Sequence, residues 1–431
     1  VTDGELAEAV AAGGRLRGIV LELWQRTRID WGFVTDRLAQ AFRSNSWLGA
    51  HDRRFVGEIV YGLVRHLRRV DLAIARGRRG GNRAPTDLER LIALLTLEKL
   101  LPVDRAARVV PELDWRAAAG VDDAIAGERD TTKRIALATS LPDWLARRLV
   151  ADWGDRAEPL ARALNRRAPM TVRANLLLGD RDACAHALAD EGLDVRAGRW
   201  CDTALIVESR TNLFASPAFK RGAFEAQDEG SQLIADLTAA CVAGRDKPTV
   251  VDYCAGAGGK TLALAARLAN HGRILASDVD GHKLEELRRR ARRAHVSNTR
   301  ALAVGDRALD AQRADVVLVD APCTGIGALR RNPEARWRLR EADIGELVAR
   351  QRHILAAARG MCAPGGRVVY ATCSLLRAEN QDVVADLPRV PLRALWGDRA
   401  DALGDGDSLV VTPDRHDTDG FFAQVLEGRQ A

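Results

Sequence analysis

The stretch Thr249–Leu268, TVVDYCAGAGGKTLALAARL, decides the fold. It opens on a short β-branched run, passes through a turn holding Gly256, Gly258 and Gly259, and closes on residues spaced as a helix from Thr261 to Leu268. A strand that runs through glycines into a helix lets backbone approach a ligand closely, because glycine has no Cβ and adopts turn conformations at little cost.

Downstream, short apolar runs recur at 273–277, 300–304, 314–319 and 366–371, separated mostly by helical stretches or loops. Such alternation predicts an α/β, Rossmann-like domain with a parallel, doubly wound sheet over 241–431. Upstream, Val56, Ile59, Val60, Leu63, Val64 and Leu67 repeat at helical spacing with Arg65, Arg68 and Arg69 between them. After the loop RGRRGGNRAPTD (76–87), Leu88, Leu91, Ile92 and Leu95 start another helix. An all-α domain is therefore expected over 1–140, its Arg-rich loop being either a solvated connector or an RNA contact. Between the two, extended pieces such as MTVRANLLL (170–178) and the prolines at 142, 159, 169 and 217 predict a small α+β joining subdomain over 141–240.

A chain of 431 residues with 47% hydrophobic and 29% charged residues is that of a multidomain globular protein, and no run approaches the length of a membrane helix. The start VTDGELAEAV lacks the basic and apolar regions of a secretory signal, so a cytoplasmic protein is expected. Seven scattered cysteines without CxxC pairs argue against a disulfide framework or a metal site. The net charge of +6, carried mostly by arginine, favours a nucleic-acid partner only weakly.

The Gly-Gly-Lys-Thr tail of the glycine turn is not a phosphate-binding loop, whose spacing needs glycine where Cys254 stands. Asp278 instead ends the strand RILAS nineteen residues after Gly259, where an acid hydrogen-bonds ribose hydroxyls in dinucleotide and adenosyl folds. The next strand, RALAVG, leads to Asp306, which either reaches the adenine or lies idle. ADVVLVD delivers DAPCTGIG, and GRVVYAT delivers TCS, so Cys323 and Cys373 both fall on the rim where open α/β sheets bind ligands. Cys362, before Ala363 and Pro364, has an ordinary core setting. Methylation at carbon 5 of a pyrimidine needs such a thiol, because that carbon becomes nucleophilic only after a thiolate adds to carbon 6. An acid such as Asp320 would stabilise charge during that addition. Arg330, Arg331, Arg336, Arg338 and Arg340, with Trp337 among them, follow directly and suit phosphate binding beside the pocket, the alternative being a solvated helix face with one buried Trp. A cytosine within a paired region would have to leave its stack, which favours an exposed or assembly-stage RNA.

DYCAGAGGKT (252–261), DAPCTGIGALRRNPEARW (320–337) and ATCSLLRAENQDVV (371–384) resemble the motifs of the Sun/NOL1/NOP2 family of RNA cytosine-5 methyltransferases. FEAQDEGSQL (224–233) and DGFFAQVL (419–426) resemble that family's segment before the cofactor turn and its closing strand. HDRRFVGEIVYGLVRHLRRVD (51–71) is similar to the NusB-like RNA-binding domain fused to the RsmB type, which methylates bacterial 16S ribosomal RNA. The resemblance implies S-adenosyl-L-methionine as cofactor, held by Cys254, Ala255, Gly256, Gly258, Gly259, Lys260, Asp278, Asp306 and Asp320. It implies Cys373 as nucleophile, Cys323 as the group that helps release product, and Asp320 as the acid that orients or protonates the base. It further implies RNA as partner, 16S rRNA or an assembling small subunit, with a monomer expected and no metal. The usual CAAPGGKT has become CAGAGGKT, so a less rigid cofactor loop is expected. Two other readings fit the same residues: an enzyme of this chemistry acting on transfer RNA, and an RNA-binding assembly factor without activity.

Overall fold

The computed structural model describes residues 2–78, 80, 83–209, 212–310 and 313–428. It divides into two compact units, one of residues 1–166 with 329–341, the other of 167–328 with 342–431.

The first unit is built on the 28-residue helix Ala50–Gly77, whose buried Phe55, Val56, Ile59, Val60, Leu63 and Val64 repeat at the spacing that lays one stripe against a core. Asp87–Leu97 packs on it, started by a capping box in which Thr86 Oγ1 and the Glu89 carboxylate satisfy each other's backbone N–H. Of the Arg-rich loop, Arg79, Gly81 and Asn82 lie outside the described residues. Arg78 and Arg83 both pair with Glu89, whose side chain is 3% exposed.

This unit also takes in Leu329–Glu341, the segment just past the DAPCTGIG loop. Trp337 Nε1 donates to the Val64 carbonyl at 3.0 Å, and its ring lies 5.6 Å from that of Trp31. Arg336 is fully buried, donating from Nε to Pro333 O at 2.9 Å and from Nη1 to Thr139 O at 2.7 Å and Asn165 Oδ1 at 2.8 Å. Burial, with Arg65 adding repulsion, pulls its guanidinium down to about 9. The expectation of five phosphate-binding arginines is corrected here: Arg330 and Arg336 are buried, and Arg336 serves as a knot between carbonyls. Arg338 and Arg340 are exposed.

The second unit carries two sheets. The smaller is antiparallel, in the order β2 (Val195–Ala197), β3 (Ala204–Val207), β1 (Met170–Ala174), β4 (Phe224–Ala226). The larger has a parallel half in which β5 (Thr249–Asp252) lies between β6 (Arg273–Asp278) and β8 (Ala314–Asp320), with β7 (Thr299–Ala303) beyond β6 and β9 (Cys362–Thr372) beyond β8. The expected wholly parallel sheet is extended on the β9 side by antiparallel strands: β13 (Phe421–Glu427) pairs with β9, β12 (Ser408–Val411) and β10 (Arg389–Val390) pair with β13, and β11 (Gly404–Asp405) closes the edge.

Successive residues of the central strands enter two different apolar cores. Val250, Val316, Leu318, Val369 and Ala371 face one, against Leu233, Leu237 and Leu264. Val251, Val317, Val319, Val368 and Tyr370 face the other, against Leu355 and Ala358. Burial on both faces is why these strands read as unbroken apolar runs. The chain leaves β5 toward β6 on one side and later returns to β8 on the other, so the crevice at the carboxyl ends of β5 and β8 is the topological switch point.

The two-unit division keeps Asp143–Trp153 and Ala157–Leu164 with the helical unit and draws no line between the smaller and larger sheets. Among the described residues, no helix is long and apolar enough to cross a membrane.

Candidate active site

Strand β5 ends in Asp252, fully buried, with Oδ2 accepting from Thr261 Oγ1 at 2.6 Å. Burial pushes its carboxyl up to about 7 despite that bond. The turn that follows is tied at three points. Gly256 N–H donates to Asp278 Oδ2 at 2.9 Å, Arg290 Nη1 donates to Ala257 O at 2.8 Å, and Arg173 Nη1 donates to Gly259 O at 2.7 Å. Arg290 is itself held by Glu225 of β4, and Arg173 belongs to β1. The turn expected to be less rigid without its proline therefore has backbone acceptors gripped by two arginines.

Gly258, at φ +85°, has no room for a side chain: a Cβ there would lie 2.6 Å from Leu287 Cγ. Gly256, at φ +54°, instead faces open space. Asp278 Oδ1 accepts from Asp280 N–H at 2.9 Å, so each carboxylate oxygen keeps a lone pair for a further donor. Val279, next to it, is 88% exposed. An open glycine turn, a carboxylate with spare acceptors and a bare aliphatic side chain at one strand end suit a ribose and its adenine. Val279 was not singled out from sequence, because one valine after a strand carries no signal of exposure. Cys254 and Ala255 begin the turn, and burial, with Asp252 nearby, pushes the Cys254 thiol up to about 12. Asp306 lies beyond β7 on the same rim, half-buried.

Asp320 ends β8 and accepts from Lys260 Nζ at 2.6 Å. Lys260 is only 8% exposed. Burial works against its charge, but Asp320 more than offsets this and the ammonium is raised overall. The Phe421 ring lies 5.4 Å from Nζ.

Beyond β8 and β9 the two loops bring Cys323 Sγ and Cys373 Sγ to 3.4 Å, both half-buried. Asp320 pairs with Ala371 across the two strands, so neighbouring strands present the thiols at one level. The bond to Cys373, then burial, then the charges of Cys373 and Glu379 hold the Cys323 thiol well above its ordinary value. Gly325, at φ +70°, turns the first loop back, and Gly327 N–H donates to Cys373 O at 2.9 Å. Cys184, Cys201, Cys241 and Cys362 are buried, and burial raises each thiol.

The family described as 16S rRNA methyltransferase RsmB/F matches residues 239–427, and the ferredoxin-like domain of RsmF/B-like methyltransferases matches 141–213. The chain is similar to the ribosomal RNA small subunit methyltransferase B of Sodalis glossinidius, 34% identical over 67% of this chain and 66% of that protein, just under two thirds of the relative's length. The enzyme of the same name from Xylella fastidiosa is 34% identical over 65% of this chain and 67% of its own. The solved structure of PH0851 superimposes with a TM-score of 0.74 at 25% identity, over 96% of this chain and 99% of that one. With these relatives, and a glycine turn and carboxylates that suit an adenosyl group, the chain belongs to the RsmB/F family of S-adenosylmethionine-dependent ribosomal RNA methyltransferases.

Proposed function

We propose that the protein methylates carbon 5 of a cytosine in small-subunit ribosomal RNA, with Cys373 as covalent nucleophile. The observation that carries this reading is the pair of thiols 3.4 Å apart beside the Lys260–Asp320 pair. Two thiols at one strand-end rim suit a reaction that must both form and dismantle a covalent adduct.

In this mechanism Cys373 Sγ bonds to carbon 6, and the electrons displaced into the ring make carbon 5 an enamine carbon. Asp320, a carboxylate beside the Lys260 ammonium, orients the base, and the proton that reaches the ring nitrogen as the thiolate adds passes through this Lys260–Asp320 pair, whose ammonium holds it at the outset, and returns there when the ring is restored. Bound S-adenosylmethionine supplies the electrophilic methyl group. Cys323 then removes the proton from carbon 5, and the bond between Cys373 Sγ and carbon 6 breaks to restore the ring. The coupling of the two thiols suits this order. While Cys373 is free, its hydrogen bond and charge keep Cys323 protonated. Once Cys373 is a thioether its charge is gone, and Cys323, though still raised by burial, gives up its proton more readily; that proton passes to solvent before the thiolate takes the one on carbon 5. Gly256, Gly258 and Gly259 with Asp278, and Asp306 on the same rim, would hold the ribose and adenine.

The helical unit serves as a NusB-like RNA-binding domain in this reading, and the protein acts as a cytoplasmic monomer. The test is transfer of labelled methyl to unmodified small-subunit rRNA, with transfer RNA as a parallel substrate. Label in the rRNA as 5-methylcytosine is expected. No transfer to either RNA by protein with cofactor demonstrably bound would overturn the assignment and leave an RNA-binding assembly factor.

A further inference from the structure

Between the two cysteine loops sits a carboxylate that the mechanism above does not use. Glu379 is fully buried and no basic side chain is paired with it among the described residues. Its charge is instead met by four hydrogen-bond donors. Oε1 accepts from Thr324 N–H at 2.8 Å and from Gln351 Nε2 at 3.0 Å. Oε2 accepts from Thr324 Oγ1 and from Ser374 Oγ, each at 2.5 Å. Four donors fill the lone-pair sites of an ionised carboxylate, and such a buried group holds its donors tightly because losing any one leaves charge unsolvated.

The donors flank the thiols. Thr324 follows Cys323, and Ser374 follows Cys373. On the other side of Cys323, the Pro322 carbonyl accepts from the same Gln351 amide at 3.0 Å. On the other side of Cys373, Thr372 Oγ1 donates to Asn380 Oδ1, and Asn380 Nδ2 donates to Ser374 O at 2.9 Å. The short helix Arg377–Glu379 is anchored in turn by Tyr370 OH, which donates to the Glu379 carbonyl at 2.7 Å. Each cysteine is thus braced through both chain neighbours, and one carboxylate is common to the two braces.

We infer that Glu379, assisted by Gln351, is the positioning residue that sets the distance between the Cys323 and Cys373 sulfurs. The inference deepens the proposed reaction and rests on it for its catalytic meaning, but the geometric claim can be tested alone. A trivalent arsenical such as phenylarsine oxide condenses with two thiols, forming two As–S bonds and releasing one water, and binds tightly only where two sulfurs are already held close together. Wild-type protein is expected to bind it stoichiometrically, and Cys323→Ala to abolish that binding. Glu379→Ala, which frees both loops, is expected to weaken it by about 10²-fold, the scale associated with roughly 1 Å of misplacement, and to lower kcat similarly with the KM for RNA unchanged. Glu379→Gln keeps the shape and, with the two hydroxyls turned to accept, is expected to recover most of the arsenical binding. Ser374→Ala leaves the carboxylate three donors and provides the test if the alanine at 379 does not fold, with a loss of about tenfold expected on the same scale. Wild-type arsenical binding in folded Glu379→Ala, or in Ser374→Ala where the former does not fold, would overturn the inference. If the wild-type protein binds the arsenical but transfers no methyl group, the reaction fails and the brace stands.

Discussion

Lys260 is nearly sealed from water, and its charge is tolerable there because Asp320 lies 2.6 Å away. Asp320→Asn removes that compensation together with the carboxylate proposed to face the base. A drop in kcat of about 10²- to 10³-fold is expected, the scale for losing one preorganised electrostatic group, read as single-turnover methyl transfer. The glycine turn offers a second comparison. Gly258→Ala meets both a left-handed backbone and Leu287 at 2.6 Å, whereas Gly256→Ala meets the backbone cost alone, about 1–2 kcal/mol. Calorimetric titration with S-adenosylmethionine is expected to show a much larger loss of affinity for alanine at 258 than at 256. Equal losses would mean that the Leu287 contact does not shape the turn.

At the scale of elements, the helix Ala50–Gly77 carries a break at His66, whose φ of −115° and ψ of 15° depart from helical values. Burial first, and then Arg69, Arg336 and Arg65, lower its imidazole to about 3, outweighing the opposite pull of Asp122. In the folded state His66 stays neutral, while in the unfolded chain it binds a proton below about 6.5. Stability therefore falls as pH drops from about 6.5 toward 3, by at most about 1.4 kcal/mol per pH unit from this group. The carboxylates with depressed values in this unit, such as Asp122 and Glu158, lose their contribution only at lower pH, below their unfolded values near 4. Denaturant unfolding between pH 7 and 5 is expected to show a shallower pH dependence for His66→Asn than for the parent chain.

Elements of this kind were legible in different degrees. The central strands and the cofactor turn stood out because burial on both faces and a glycine turn leave local marks. Cys323, Cys373 and Asp320 could be picked out as candidates because they lie at or just beyond the ends of apolar strands. Glu379 and Gln351 could not, since their partners Thr324 and Pro322 lie 55 and 29 residues away in the chain. Arg290 and Arg173 escaped notice for the same reason. The arginines after Cys323 show the opposite failure, because an Arg-rich stretch looks the same whether its guanidiniums meet phosphate or, like Arg336, backbone carbonyls.

For the whole molecule, the segment 329–341, which follows the Cys323 loop in the chain, packs as part of the helical unit. A fragment starting at 167 keeps the matched methyltransferase region yet strips Trp337 and Arg336 of Val64, Thr139 and Asn165. Exposed Leu329 and Trp337, with a guanidinium whose carbonyl acceptors are gone, are expected to make the fragment bind a hydrophobic dye and aggregate, as size-exclusion chromatography would record. A monodisperse fragment with wild-type methyl transfer would contradict that dependence. The most direct test of the proposed chemistry uses Cys323→Ala incubated with cofactor and small-subunit rRNA, then digested and analysed by mass spectrometry. A methylated cytidine covalently bound to the peptide containing Cys373 is the predicted product. A nucleotide attached at any other residue, or full turnover by Cys373→Ala, would contradict it.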